Sequence, residues 1–515
     1  VRYTHLTYRQ LDDESNRIAH GLAAVGVERG MRCVLMVKPS LEFFALTFAL
    51  FKVGAVPVLV DPGMGVKNLR QCLAEAAPTA FIGVPKAHVA RKLFGWAKAS
   101  TKILITVGRR LGWGGRTLDD VRRLGEDAEV LVDTRADETA AVLFTSGSTG
   151  VPKGAVYTHG VFAAQVESIR TLYGIEPGEI DLPTFPLFAL FAPALGMTAI
   201  IPDMDPTRPA QADPRKLIEA IEDFGVTTMF GSPALIDRLG RYGAEHGVRL
   251  ESLRRAISAG APVAPIVLER FTSMLREGAE VFTPYGATEA LPVCSIGSSE
   301  ILTDTRVATE RGGGVCVGHP VPGMDVRIIR ISDEPIPEWD ASLVLPDEEI
   351  GEIVARGPVV SREYFQRPES NDLAKMRDTA TGEIVHRMGD LGYRDASGRV
   401  WFCGRKAHRV TSGDETLFTI PCEAVFNTHP HVFRSALVGV GENGSAEPVL
   451  CVELERDAHV DRKRLRDELL SRAQEHRHTR SIRRVLFHPS FPVDIRHNAK
   501  IFREKLAVWA TERNS

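Results

Sequence analysis

The sequence predicts an α/β protein: a large N-terminal domain of two parallel-rich α/β subdomains with a small β-barrel-like subdomain, then a small α+β C-terminal domain. Three observations predict it. Short apolar strands alternate with amphipathic helices of about 10–15 residues as far as residue 285, the pattern of parallel sheets covered on both faces. After about residue 315 the texture changes to short strands and polar turns, as in VRIIRI, EEIGEIVARG and GYRDASGRVWFCGR. A final block, 406–515, carries its own strands, an amphipathic helix and a basic tail. The chain has 515 residues, 44% apolar and 25% charged, enough for several cores.

Each element follows from local pattern. Leu11, Ile18, Leu22 and Val25 recur at helical spacing, followed by a strand at Val34–Val37, a helix at Leu41–Lys52 and a strand at Ala55–Val60. More alternation fills 70–145, where Leu143 and Phe144 end a strand. Further on come a helix at Pro214–Phe224, strand Thr227–Phe230, helix Pro233–Tyr242, and strands Arg255–Ile257 and Glu280–Thr283. The last block predicts strands Ser435–Val440 and Val449–Leu454 and a helix Arg462–Glu475. The domains therefore divide as 1–405 and 406–515.

Two apolar runs need weighing as membrane spans. Residues 43–60 contain Lys52, Gly54 and Pro57, and residues 185–202 contain Pro186, Pro193, Gly196 and Pro202. A spanning helix needs about 20 apolar residues, so both are read as buried segments, the second also as a lining for an apolar ligand. A net charge of −3 with scattered lysines and arginines gives no sign of a nucleic-acid partner. Seven cysteines without a CxxC pair predict reduced thiols in a cytoplasm and no zinc cage. The sequence opens on Val1, so targeting is left open.

The chemistry concentrates in a few runs. LFTSGSTGVPKG, residues 143–154, follows a strand with Gly, Ser and Thr and then Lys153, which suits a loop wrapped on a polyanion. It is not G-x-x-x-x-G-K-[ST]. YGATEA, 285–290, groups an aromatic, a glycine, a hydroxyl and Glu289, able to stack a base and hold Mg²⁺; its plain alternative is a tight turn. Asp390 in RMGDLGYRD can accept from ribose hydroxyls or sit as a solvent-facing turn residue. SAGAP, 258–262, lies at a strand's C-terminal edge, where nucleotides bind in open α/β sheets. Lys500 in HNAKIFREKL reads by itself as a surface charge.

Other matches fail on context. LVGVGENG, 437–444, fits G-x-G-x-x-G but leads into a strand rather than a helix, and no G-x-S-x-G elbow occurs. His429, His431, His476 and His478 lack partners at metal spacing and are read as surface residues.

In order and spacing, these runs resemble the adenylate-forming superfamily of acyl-CoA synthetases, luciferase and peptide-synthetase adenylation domains. LTYRQLDDESNRIAHGL, LFKVGAVPVLVDP, LFTSGSTGVPKG, YGATE, GEIVARGPVV, GDLGYRDASGRVWFCGR and NAKIFREKL carry the resemblance over nearly the whole chain. It implies ATP and Mg²⁺. Thr145, Ser146, Gly147, Ser148, Thr149, Gly150 and Lys153 would wrap the phosphates, and Glu289 would hold the metal. Gly260, Ala261, Pro262, Tyr285, Gly286 and Thr288 would surround adenine and the phosphates. Asp390 and Arg405 would hold the ribose, and Lys500 would bridge the carboxylate and the α-phosphate.

Departures from the superfamily pattern narrow the reading. Ala189 stands in FPLFALF where coenzyme A ligases carry a histidine, and Ala407 stands at the hinge position. SGDETLFTIPCE replaces the usual glycine loop, and Ala499 replaces the glycine before Lys500. These changes cluster where a second nucleophile would enter, and the pattern is similar to the β-lactone synthetases of bacterial long-chain olefin biosynthesis. That implies adenylation of a 2-alkyl-3-hydroxy fatty acid, ring closure by its own hydroxyl with His159 and His319 as candidate bases, and other olefin-pathway enzymes as partners. A long-chain acyl-CoA ligase, an acyl-AMP ligase and a non-catalytic nucleotide-binding scaffold remain the alternatives.

Overall fold

A computed structural model describes residues 2–126, 128–145, 152–442, 444–455, 458–493 and 500–513, with Thr145 described by its backbone alone. The first sheet has seven strands in the order Arg116–Thr117, Ile103–Thr106, Ala80–Gly83, Arg32–Met36, Val56–Val60, Thr139–Thr145, Lys153–Thr158. All neighbours are parallel except the last pair. Helix Tyr8–Ala24 begins at a capping box, with the Thr7 side chain accepting from Gln10 N–H, and buries Ile18, Ala19 and Leu22 against this sheet's core.

The second sheet is fully parallel: Glu280–Phe282, Arg255–Ile257, Thr228–Phe230, Ile180–Pro183, Thr198–Ala199. Helix Pro214–Phe224 matches its sequence prediction at both ends. Asp213 caps it, Pro214 supplies a fixed φ at its start, and Gly225 closes it in the left-handed region. The run FPLFALF is neither a span nor a loop. Its Phe188–Phe191 turn wedges between subdomains, with Leu187 and Leu190 on the first core and Phe188 against Phe230 at 4.4 Å. No helix among the described residues is long and apolar enough to cross a membrane.

The third sheet is antiparallel, in the order Tyr285–Ala287, Ala290–Ser295, Val315–Pro320, Val400–Arg405, Ile384–Arg394, Gly351–Arg356, Asp325–Ile329, with Lys375–Arg377 also pairing Ile384–Arg394. Beyond it, a hairpin (Val410–Ser412 with Glu415–Leu417) and a three-stranded sheet (Val432–Val440, Glu447–Leu454, Arg484–Phe487) pack with helices Thr419–Asn427, Arg462–Glu475 and Arg503–Thr511. Two apolar clusters here draw only on residues from Val410 onward. The GVGENG run begins at the end of strand Val432–Val440, and the next element is strand Glu447–Leu454 rather than a helix. All seven cysteines are buried and free.

Two histidines read as surface residues are packed. His429 is buried and contacts Glu468 at 3.4 Å, while His478 bonds Pro421 O at 3.2 Å beside Gly312. The partners Glu468, Pro421 and Gly312 come from elements remote in sequence.

Candidate active site

The site forms where the second sheet passes into the third. Strand Glu280–Phe282 turns directly into Tyr285–Ala287, so YGATEA lies at the junction. The turn is pinned along its backbone: Tyr157 O–H donates to Thr288 O at 2.5 Å, Ser361 N–H to Glu289 O at 2.7 Å, and Gln165 Nε2 to Leu291 O at 2.8 Å. Glycine is required at 286, because a Cβ there would lie 2.4 Å from Ala290 O. Ser258 N–H donates to Phe282 O at 2.9 Å, which sets the turn Gly260–Ala261–Pro262 beside this one, Gly260 having φ +100°.

Asp390 is not a turn residue. It sits inside the long strand Ile384–Arg394, only 3% exposed, in register with Arg405. Tyr285 O–H donates to Asp390 Oδ2 at 2.8 Å, and the Arg405 guanidinium lies 3.1 Å from Oδ1. Burial pushes the Asp390 pKa up, against Arg405, Tyr285 and Lys500, which favour the carboxylate. Burial and the neighbouring Asp390 carboxylate hold the Tyr285 hydroxyl well above its usual range. Lys500, partly buried, lies close enough for its charge to favour the Asp390 carboxylate.

Glu289 and Lys153 face one aromatic ring. Tyr364 O–H donates to Glu289 Oε1 at 2.7 Å, and Lys153 Nζ lies 4.9 Å from the centre of the Tyr364 ring. Burial lowers the Lys153 pKa while the Glu289 carboxylate opposes the shift. A second lysine, Lys375, lies 5.5 Å from the same ring, and burial pushes it down to about 7. Lys153, Arg405 and Lys500 thus lie around the Glu289 and Asp390 carboxylates, an arrangement that suits a polyanionic ligand.

The structure therefore brings Lys153, Tyr285, Gly286, Thr288, Glu289, Asp390, Arg405 and Lys500 to one region. Thr145 pairs with Lys153 across adjacent strands through its backbone. Ser146, Gly147, Ser148, Thr149, Gly150 and Ala499 lie outside the described residues. Of the candidate bases, His159 heads the helix His159–Tyr173 near Phe51, and His319 is exposed beside the Gly398 turn. Ala189 is buried, while Ala407 is exposed in the turn Lys406–His408, where Lys406 reaches Glu352 at 3.0 Å and Ser332 O at 2.6 Å. Sequence reasoning missed Tyr364, Ser361 and Lys375, for which REYF and AKM carry no recognisable pattern.

A family model for AMP-binding enzymes matches residues 1–365. The chain belongs to that family. It is an adenylate-forming enzyme that uses ATP. Similar relatives include an olefin beta-lactone synthetase of Xanthomonas campestris pv. campestris, 53% identical over 99% of this chain and 91% of the relative. Another, of Stenotrophomonas maltophilia, also called olefin beta-lactone synthetase, is 54% identical over 98% and 91%. Among solved structures, the amide bond synthetase McbA of Marinactinospora thermotolerans superposes with a TM-score of 0.80 at 23% identity, covering 98% of this chain and 95% of that one. O-succinylbenzoate coenzyme A synthetase of Bacillus subtilis, in complex with AMP, gives 0.77 at 22% identity over 98% and 94%. Identity that low establishes the shared fold and no more.

Proposed function

We propose that this enzyme activates a long-chain 2-alkyl-3-hydroxy fatty acid with ATP and closes it to a β-lactone, releasing AMP and pyrophosphate. The observation that carries the reading is identity above half, over nearly the full length, to two olefin beta-lactone synthetases. In the first step a carboxylate oxygen bonds the α-phosphorus and pyrophosphate leaves. In the second, the substrate's 3-hydroxyl oxygen bonds the acyl carbon, the acyl–AMP bond breaks with its electron pair going to AMP, and the hydroxyl proton passes to water. Intramolecular attack has an effective molarity of roughly 10⁵–10⁸ M when well oriented, less whatever the four-membered ring costs in strain.

The chain's own groups divide the work. Asp390, held by Arg405 and Tyr285, accepts from the ribose hydroxyls, and Lys153 faces the distal phosphates with Thr145 and Ser146–Gly150. Gly260, Ala261, Pro262, Gly286 and Thr288 border the adenine and phosphates. Lys500 neutralises charge at the reacting oxygens, which is where preorganised cations act most strongly. No cluster of three or more metal-ligating side chains occurs among the described residues. A lone carboxylate at Glu289 suits Mg²⁺ completed by phosphate oxygens and water; when bound, the ion neutralises phosphate charge. The phenylalanines of the 185–191 wedge suit an alkyl chain.

Residues 1–405 act as the nucleotide- and acyl-binding domain, and 406–515 as a mobile domain that delivers Lys500. The separate C-terminal core supports that division. Reduced buried thiols favour a cytoplasmic setting, and a water-insoluble product favours assembly with the enzymes before and after it in olefin formation. The test is product analysis with Mg²⁺, ATP and a synthetic 2-alkyl-3-hydroxy acid, with and without coenzyme A. A lactone formed equally well in both supports the proposal. A thioester appearing only with coenzyme A refutes it and leaves an acyl-CoA ligase.

A further inference from the structure

Residues 360–365 form a strap between the two sides of the phosphate end. On one side it bonds the strand that begins at Lys153: Val156 N–H donates to Glu363 O at 3.1 Å and Phe365 N–H to Gly154 O at 2.7 Å. On the other side Ser361 N–H donates to Glu289 O at 2.7 Å, and Val360 bridges Ala290. Tyr364 leaves the strap to reach the Glu289 carboxylate. Beneath lies Lys375, 8% exposed, with its ammonium on Ser361 O and 3.2 Å from Ser361 Oγ.

A buried lysine is costly, and an apolar side chain of like length would fill the same space without the penalty. The amine of Lys375 does what such a side chain cannot: it fixes Ser361, whose amide holds the Glu289 backbone. The Tyr364 ring lies near both lysines, 4.9 Å from Lys153 Nζ and 5.5 Å from Lys375 Nζ, within cation–π range of each. Groups that orient a metal-binding carboxylate in this way commonly change metal affinity tenfold or more when removed.

We propose that Lys375 and Tyr364 are positioning residues for magnesium–ATP: Lys375 pins the strap through Ser361, and Tyr364 holds the Glu289 carboxylate in a fixed place relative to Lys153. The proposal rests on Glu289 and Lys153 being the metal and phosphate contacts. It distinguishes the metal from the nucleotide, because the strap orients Glu289 and leaves Asp390 and Arg405 to their own pairing.

The test uses the full chain and calorimetric binding of ATP with and without Mg²⁺. Tyr364→Phe, which removes one oxygen, weakens binding of magnesium–ATP about tenfold and leaves magnesium-free ATP within twofold, with the melting temperature unchanged. Lys375→Met acts in the same direction, and in the double variant the two losses fall well short of multiplying, since they act through one carboxylate. The Mg²⁺ concentration for half-maximal pyrophosphate exchange rises in both. Equal losses with and without Mg²⁺, or a lowered melting temperature with unchanged binding, would overturn the proposal and leave the strap as structural support. Glu289→Gln separates the two levels: if it leaves magnesium–ATP binding intact, the metal assignment fails, whereas an effect at Glu289 with none at Tyr364 and Lys375 fails this inference alone.

Discussion

Asp390→Asn separates nucleotide recognition from folding. The wild-type carboxylate accepts from Tyr285 at 2.8 Å and pairs with Arg405 at 3.1 Å while almost fully buried. Asparagine keeps the shape and one acceptor, so the Tyr285 bond survives without its charge, a loss of about 1 kcal/mol. The Arg405 side chain is 34% exposed and also donates to Met388 O at 3.3 Å, so water and that carbonyl take up its charge. The fold therefore loses only roughly 1–2 kcal/mol, part of it returned because no anion is buried. Ribose loses more. In the proposed ribose contact, two hydroxyls that would face two carboxylate oxygens would be left with one acceptor and one donor, costing about 1.5–3 kcal/mol, or roughly ten- to hundredfold in affinity. Carboxylic-acid-dependent pyrophosphate exchange gives KM for ATP, and denaturant titration gives stability. A KM within twofold of the parent, or a stability loss larger than the affinity loss, would refute the ribose role.

Lys500→Ala should lower pyrophosphate exchange about 10²–10³-fold, the scale for one preorganised charge, while calorimetric ATP affinity shifts only a few-fold; equal losses in both would place Lys500 in binding instead. Glu423→Ala breaks a buried pair in which both carboxylate oxygens lie 2.7 Å from Arg503, and removes the acceptor of Leu437 N–H. A destabilisation of about 3–5 kcal/mol is expected in denaturant unfolding, and less than about 1 kcal/mol would contradict it. Lys375→Met predicts a pH signature. Lys375 titrates near 7 in the fold against 10.5 ordinarily, so between those values the unfolded chain binds one more proton and stability rises with pH. The burial cost is present in full below pH 7 and is relieved towards pH 10. The variant should thus gain on the parent at pH 6 and lose that gain by pH 9.5, read as the difference in melting temperature.

Local pattern set the parallel half of the molecule. Helix Pro214–Phe224 was legible at both ends because its signals, Asp213, Pro214 and Gly225, are adjacent in sequence. The antiparallel sheet was legible in type but not in order, because Val315–Pro320 pairs with Val400–Arg405, a strand far along the chain. Asp390 and Arg405 were found by motif, yet only their register explains why they meet. Tyr364 and Lys375 gave no signal. Their roles come from a loop crossing to a strand in another sheet, and no residue spacing encodes that crossing. His478 was misread for the same reason: what buries it is Pro421 and Gly312, not its sequence neighbours.

The strand Lys153–Thr158 is the last of a seven-stranded sheet, and an open edge of that kind is a template for another chain to add to. Residues 363–365 occupy its free hydrogen-bonding groups at Gly154 and Val156. Loosening the strap therefore exposes a sticky border as well as disturbing Glu289. Damage there would surface as polymerisation on storage or overexpression, so solubility and catalysis share one short segment and cannot drift independently in this sequence.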